Sequence, residues 1–141
     1  MAEVLPRKVG IRSHHGCTVV SSYSTHWPCV FPQVGPGRKH ERSIALVDWQ
    51  RDLVEREPRQ FLRGLIESDG DRHINSIKGA NGRRYDYPRY GFTNRSGDIL
   101  GLFAWGCSLV GVSYTRTSDR RMAVSRRADV ALLDTFIGPK S

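Results

Sequence analysis

The stretch that decides the fold is apolar and ends in an acidic residue and a glycine: Leu62-Arg63-Gly64-Leu65-Ile66-Glu67-Ser68-Asp69-Gly70. Its apolar residues recur about one helical turn apart, which predicts an amphipathic helix over residues 58–69. Pro58 suits the first turn of that helix, and Gly70 predicts an end in the left-handed conformation. Gly64 and Ser68 are one turn apart, so they predict a smooth stripe on which a second helix can pack closely.

The residues that follow this helix predict paired strands between further helices. The turn Ala80-Asn81-Gly82 separates two strands, and Gly111 predicts the end of the next helix. The predicted elements are strands at 73–78 and 83–94, a helix at 96–110, strands at 112–116 and 122–125, and a helix at 128–137. The order from Pro58 is therefore α-β-β-α-β-β-α, which predicts an α+β fold.

The residues before Pro58 predict a second, incomplete copy of this pattern. Strands are predicted at 8–12 and 17–22, and a helix at 44–57 with Ser43 as its cap. Three short matches in the same order, offset by about 104 residues, indicate an internal repeat. The predicted domains are the C-terminal remnant of a first repeat at 1–42, a connecting helix at 43–57 and a complete repeat at 58–141.

The composition indicates a partner with many negative charges. The chain has 141 residues and a formal net charge of +8, from 22 Lys and Arg against 14 Asp and Glu. Only four of those basic residues are Lys, and the Arg fork suits phosphates and guanine edges. No apolar run is long enough for a membrane span, and residues 1–10 do not read as a secretion signal. Three cysteines without disulfide spacing predict a reducing, cytoplasmic location.

The stretch 62–70 resembles the LAGLIDADG motif of homing endonucleases, matching it at Leu62, Gly64, Leu65, Ile66, Asp69 and Gly70. The element order and the repeat are also similar to that family, and the whole chain resembles actinobacterial and phage proteins that carry two such repeats. The resemblance implies an α-β-β-α-β-β-α unit with a curved antiparallel sheet, preceded by a partial repeat. It also implies that the sheet forms a saddle over double-stranded DNA.

The end of the motif helix is the predicted catalytic and metal site. The helix dipole disfavours the Asp69 carboxylate at this end, so a cation is expected there. We predict Mg²⁺, or another divalent cation, held by Asp69 and the carbonyl of Ser68. Zn²⁺ is the less favoured cofactor and belongs to a different set of residues. By resemblance, Asn94 orders water near the scissile phosphate, and Lys140 and Lys39 balance charge. The predicted interface for a second helix consists of Leu62, Gly64, Leu65 and Ser68.

The second predicted strand supplies a basic and aromatic strip. A period of two places Tyr90 and Phe92 toward the helices and leaves a second set on the opposite face. That set is Arg83, Tyr85, Tyr87, Arg89 and Thr93. We predict that it reads a major groove. The residues predicted to extend the strip are Arg72, Asn75, Lys78, Arg95, Arg116, Arg120 and Arg121.

Besides a purely structural partner for a chain that carries the first repeat, three functions stay open from the sequence. The first is an endonuclease that binds double-stranded DNA and cleaves it with Mg²⁺, near the nucleoid. Because the chain has one motif, its second metal-binding carboxylate is expected from a homodimer or from a partner chain with a second LAGLIDADG helix. The second function is a cleavage-inactive regulator of the same fold. The third is a zinc-supported DNA-binding module, with His15-x-Cys17 and His26-x-x-Cys29 as candidate ligands.

Overall fold

The structure, a computed structural model, describes residues 9–23, 25, 33, 35–38 and 40–138. The chain divides into two compact units, Met1–Gly35 and Pro36–Ser141. In the first unit, β1 (Gly10–His14) and β2 (Cys17–Ser21) form an antiparallel hairpin. Its two turn residues have positive φ, 47° at His15 and 78° at Gly16, as tight hairpins require. The predicted pair of strands is confirmed, and β1 runs two residues further than predicted because the turn needs only two residues.

The second unit begins its regular structure with two helices, α1 (Asp48–Arg56) and α2 (Pro58–Asp69). The predicted bounds of α2 are confirmed. The predicted start of α1 is wrong, because Val47, and not Ser43, is its N-cap. The backbone N–H of Ile44 instead donates to Asp98 Oδ2 at 2.7 Å, which holds residues 44–47 outside the helix.

A four-stranded antiparallel sheet follows, with the strand order β3-β4-β6-β5. Its strands and the remaining helices are β3 (Gly70–Lys78), β4 (Arg84–Thr93), α3 (Gly97–Val110), β5 (Thr115–Ser118), β6 (Arg121–Val124) and α4 (Arg127–Ile137). This order confirms the predicted α+β class and the α-β-β-α-β-β-α sequence from Pro58. The strand β5 begins three residues later than predicted. The reason is that the backbone N–H of Val112 donates to the carbonyl of Cys107, so Val112 is held at the end of α3.

The hydrophobic core lies between this sheet and the helices. Leu62 and Ile66 of α2 pack with Tyr90 and Phe92 of β4, and all four are at most 1% exposed. The ring of Phe92 stacks on Phe103 of α3 with centroids 4.5 Å apart. The prediction that Tyr90 and Phe92 face the helices is therefore confirmed. No helix in the described ranges is long and apolar enough to cross a membrane.

A polar cluster attaches α4 to the helix side of the sheet. Arg72 of β3 donates two hydrogen bonds to the Asp134 carboxylate, at 2.8 and 2.9 Å, and the Tyr90 hydroxyl donates a third at 2.5 Å. The hydrogen bonds from Arg72 lower the pKa of Asp134. Burial, and then the hydrogen bond to Asp134, raise the pKa of Tyr90 to about 12. Arg72 thus joins two elements of the core.

The raised pKa of Tyr90 predicts a loss of stability at high pH. Unfolded tyrosine ionises near ~10, so the folded state holds this proton more tightly. The contribution is complete below pH ~10 and is lost as the pH rises through about 12. We expect the free energy of unfolding in urea to fall less between pH 9.5 and 11 in Tyr90→Phe than in the parent chain.

Cys107 requires a control in this experiment. Burial raises the pKa of its thiol to about 12, which gives a pH dependence of the same sign that begins near the ordinary thiol pKa. Both chains should therefore carry Cys107→Ala. Equal losses of stability in the two chains would contradict the role assigned to Tyr90.

Candidate functional site

The end of α2 places a carboxylate at the start of the sheet. Asp69 is the last residue of α2 and is exposed, and Gly70 begins β3 without an intervening loop. The predicted left-handed conformation of Gly70 is wrong, since its φ of −95° and ψ of 164° are extended. A glycine is required for a different reason. A Cβ here would lie 2.7 Å from the carbonyl oxygen of Ile66.

Two of the predicted catalytic residues meet at this end of the helix. Asn94 Nδ2 donates to Asp69 Oδ2 at 3.0 Å. The Asn94 side chain also accepts from the backbone N–H of Ser96 at 2.8 Å, and its own backbone N–H donates to the carbonyl of Arg120 at 2.9 Å. The amide is thus fixed between β4, α3 and the β5–β6 turn. Lys39 and Lys140 lie outside the described residues.

The donor atoms at the helix end fit a hard divalent cation. Asn94 uses only one oxygen of the Asp69 carboxylate, and no described residue bonds to the other. The Ser68 hydroxyl donates to the carbonyl of Leu65 at 2.9 Å, so this side chain bonds back into its own helix. Carboxylate and carbonyl oxygens are ligands that Mg²⁺ accepts while it keeps several waters. The described residues contain no group of three or more His, Cys, Asp or Glu that could hold a metal.

The predicted zinc ligands belong to the other unit. His14, His15 and Cys17 are exposed at the β1–β2 turn, while His26 and Cys29 lie outside the described residues. The zinc site therefore stays a prediction.

The four residues of the predicted helix interface differ in how far they are buried. Leu62 is completely buried in the core of its own unit, so the prediction that it contacts a partner helix is wrong. Leu65 is partly buried against the same core. Gly64 and Ser68 are exposed, and a Cβ at Gly64 would meet nothing within 4 Å. The surface left for a partner is therefore the stripe formed by Gly64 and Ser68.

The register of β3 with β4 defines the sheet face opposite the helices, which we call the open face. On it His73 pairs with Arg89, Asn75 with Tyr87, and Ile77 with Tyr85. Arg72 pairs with Tyr90, and Lys78 with Arg84, at the alternate positions that face the helix side. The prediction that Arg72 and Lys78 extend the strip is therefore wrong, whereas Asn75 lies on it. Arg83 lies just before β4, beside the turn.

A network that the sequence did not indicate crosses the open face. Arg121 donates from Nη2 to Asp71 at 2.9 Å and from Nη1 to Thr93 Oγ1 at 2.8 Å. His73 Nδ1 lies 2.7 Å from the other oxygen of Asp71. Beneath Arg121, a Cβ at Gly91 would collide with Nη2. A glycine inside a strand pattern is the signal that could have indicated this close approach.

The remaining predicted basic residues differ in whether their side chains have partners. Arg116 donates to the carbonyls of Ser118 and Asp119 and so closes the β5–β6 turn. Arg95 and Arg120 are both exposed. Arg95 follows Asn94 in the chain, and the carbonyl of Arg120 accepts the backbone N–H of Asn94. In the described part of the chain, neither of these two side chains has a hydrogen bond or ion pair.

The crowding at Gly91 predicts a stability loss on a small substitution. In Gly91→Ala the new methyl group displaces the Arg121 guanidinium from Asp71, which we expect to lower the free energy of unfolding by ~1–2 kcal/mol. Gly101→Ala is the matched control, because nothing lies within 4 Å of a Cβ at that helical position. There we expect a gain of ~0.5–1 kcal/mol from helix propensity. Urea unfolding measures both, and a neutral Gly91→Ala would contradict the described contact.

No family model and no curated protein matches the sequence. Solved structures that are similar to the chain at low identity include the following three. The homing endonuclease I-TnaI is 15% identical over 59% of this chain and 61% of its own, with a TM-score of 0.42. A double mutant of I-SmaMI is 15% identical over 84% of this chain and 40% of its own, with a TM-score of 0.47. The group I intron-encoded homing endonuclease I-CeuI, complexed with DNA, is 15% identical over 63% of this chain and 42% of its own, with a TM-score of 0.37. The chain thus matches between 40% and 61% of the length of these proteins.

Proposed function

We propose that the second unit binds double-stranded DNA on its open face and cleaves a phosphodiester bond beside Asp69 with Mg²⁺. The observation that carries this proposal is the contact between Asn94 and Asp69. Arg95 follows Asn94 in the chain and the carbonyl of Arg120 accepts its backbone N–H, and both arginine side chains are without a partner among the described residues. We assign the cation to the fixed Asp69 carboxylate and the phosphate contacts to the two arginines. A protein with this activity belongs with the nucleoid in the cytoplasm.

The charges around Asp69 support a phosphate ligand. The chain carries a net charge of +8, and the side chains of Arg95 and Arg120 have no carboxylate partner among the described residues. Phosphate contacts release counterions from DNA and provide affinity that does not depend on sequence. Arg95 and Arg120 are therefore assigned to the DNA backbone next to the site.

The cofactor assignment rests on the donor set at the helix end. Asp69 and the carbonyl of Ser68 would hold Mg²⁺, and Asn94 keeps the carboxylate in one orientation. When bound, Mg²⁺ supplies Lewis-acid stabilisation of the leaving oxygen and a lowered pKa of water. The role of Asn94 is then to orient Asp69 by a direct hydrogen bond.

A partner helix follows from the same geometry. Asp69 is the last residue of α2, and the stripe of Gly64 and Ser68 beside it is exposed. A second copy of the chain, or another chain with such a helix, could pack on this stripe and bring a second carboxylate to the cation. Light scattering measures the oligomeric state, and a monomer that still cleaves DNA would overturn this arrangement.

A cleavage-inactive DNA-binding regulator is the second candidate. It is favoured by the fact that the nearby Asp71 is already engaged by Arg121 and His73, so that Asp69 has no free carboxylate neighbour on β3. In that case the open face binds DNA identically with and without Mg²⁺.

The test measures binding and cleavage separately. Fluorescence anisotropy with a pool of random-sequence duplexes in EDTA gives the affinity and its salt slope. We expect Arg95→Gln with Arg120→Gln to weaken binding for all sequences and reduce the slope by about 2, one unit for each lost phosphate contact. The matched control is Arg51→Gln with Arg59→Gln, which removes equal charge from residues that stack on Trp105 and Phe136.

Nicking of a supercoiled plasmid pool in Mg²⁺ then separates the two candidates. Binding with cleavage supports the endonuclease, and binding without cleavage supports the regulator. If the wild-type chain binds no duplex DNA, or if the control pair weakens binding as much as Arg95→Gln with Arg120→Gln, the proposed interface is wrong.

A further inference from the structure

We propose that Arg89 is the side chain of the open face that reads DNA bases, and that its neighbour Arg121 is held within the sheet and contacts no DNA. The proposal rests on the proposed function and divides the basic residues of the interface by role. Arg95 and Arg120 contribute affinity, Arg89 contributes sequence discrimination, and Arg121 contributes stability.

Arg121 is removed from DNA contact by its own bonds. Both terminal nitrogens are engaged, one with Asp71 at 2.9 Å and one with Thr93 at 2.8 Å. The guanidinium lies directly over Gly91, where no side chain separates it from the strand. Releasing it to reach a base would leave Asp71 without its cation, so the sheet itself competes with DNA for this group.

Arg89 occupies the neighbouring position on the same face and has none of these bonds. It pairs in register with His73 and is followed on the open face by Gly91, over which the Arg121 guanidinium lies. Both oxygens of the nearest open-face carboxylate, Asp71, are taken by Arg121 and His73. Arg89 is thus a cation that this face leaves without an anion among the described residues.

The burial of Arg89 restrains its orientation. The residue is half-buried, and its Nε is inaccessible and lacks a hydrogen-bond partner among the described residues. Arg cannot relieve this by losing a proton. A stem fixed by packing loses less conformational entropy on binding than a free surface arginine does. Its fork matches the two acceptors of guanine in the major groove, O6 and N7, and no other base presents that pair of acceptors.

The position along the sheet agrees with base reading. Arg89 lies within β4, with Tyr87 two residues before it on the open face and Thr93 four residues after it. Arg95 lies beyond the strand end, near Asp69. An arginine inside the strand faces the groove of a duplex laid on the sheet, whereas arginines beyond its end face the backbone at the candidate cleavage site.

The experiment is selection of bound duplexes from a random-sequence pool in EDTA, followed by sequencing. The variants are wild type, Arg89→Gln, Arg89→Lys, Arg84→Gln and Arg121→Gln, each checked by thermal unfolding. Arg84 is the matched control, since it lies on β4 at the alternate register position and is exposed. We expect wild type and Arg84→Gln to enrich sequences with guanine at one fixed position.

In Arg89→Gln we expect that preference to disappear and the affinity for the selected site to fall by ~10-fold or more. Arg89→Lys should keep a weaker guanine preference, because its ammonium can still donate to O6 and N7 but lacks the planar fork. Arg121→Gln should select the same sequences and unfold at a lower temperature. If both Arg89 variants keep the wild-type preference, or if wild type binds without preference, the assignment of Arg89 is overturned while DNA binding stands. If wild type binds no duplex, the proposed function fails. A changed preference in a fully stable Arg121→Gln would overturn the assignment of Arg121.

Discussion

Replacing Asp69 by asparagine is expected to reduce Mg²⁺-dependent cleavage of duplex DNA by ~1,000-fold or more while leaving DNA affinity in EDTA within about twofold. The substitution removes the negative charge that would hold the cation but keeps the size of the side chain. It leaves Arg95, Arg120 and the open face unchanged. The asparagine can still accept from Asn94 Nδ2, so the helix end is expected to keep its geometry.

The matched control for this substitution is Glu67→Gln. Glu67 is a carboxylate two residues earlier on the same helix, exposed and paired with Arg63 at 2.7 Å. Glu67→Gln removes one negative charge from α2, as Asp69→Asn does, but away from the candidate metal site. We therefore expect its cleavage rate to stay within about twofold of wild type. Plasmid nicking rates measure both variants. Cleavage by Asp69→Asn at the wild-type rate would exclude Asp69 as the metal ligand, and equal losses in the two variants would indicate a general charge effect.

Replacing Phe92 by alanine is expected to lower the free energy of unfolding by ~3–5 kcal/mol. Phe92 is completely buried and stacks on Phe103, so its removal leaves a cavity between the sheet and α3. Since domains are stable by only ~5–15 kcal/mol, this loss is a large fraction of the total. Urea unfolding gives the value from the shift in midpoint at constant slope.

Tyr85→Ala is the control on the same strand. Tyr85 lies on the open face and is 41% exposed, so we expect a loss below ~1 kcal/mol. Losses of similar size at positions 85 and 92 would contradict a sheet with one buried and one open face. The comparison therefore tests the assignment of the open face independently of DNA.

Local patterns were sufficient to predict most of the fold. The bounds of α2, the end of α3 at Gly111, and the burial of Tyr90 and Phe92 follow from short-range periodicity and from residues that favour helix ends. The contact between Asp69 and Asn94 was not predicted as a contact, but both residues were named. They are 25 residues apart, at the ends of two predicted elements that the hairpin brings together.

The pairing of charged side chains could not be predicted in this way. Arg72 contacts Asp134 across 62 residues, and Arg121 contacts Asp71 across 50 residues. A strand pattern gives the face of each residue relative to its own strand but gives neither the register with the next strand nor the helix that covers it. Arg72 and Lys78 were therefore assigned to the wrong face. The extended conformation of Gly70 was missed because close packing against Ile66 leaves no trace in local sequence.

The most direct test of the proposed DNA-binding face is to map the bound duplex onto the chain by NMR. A chain of 141 residues allows assignment of backbone amides, and a short duplex from the random-sequence selection can be titrated in EDTA. We expect the largest shifts at the open-face positions of β3 and β4, at Arg89 above all, and at Asp69, Arg95 and Arg120. Shifts confined to α1, α4 or the β1–β2 hairpin, with the open face unperturbed, would contradict the account.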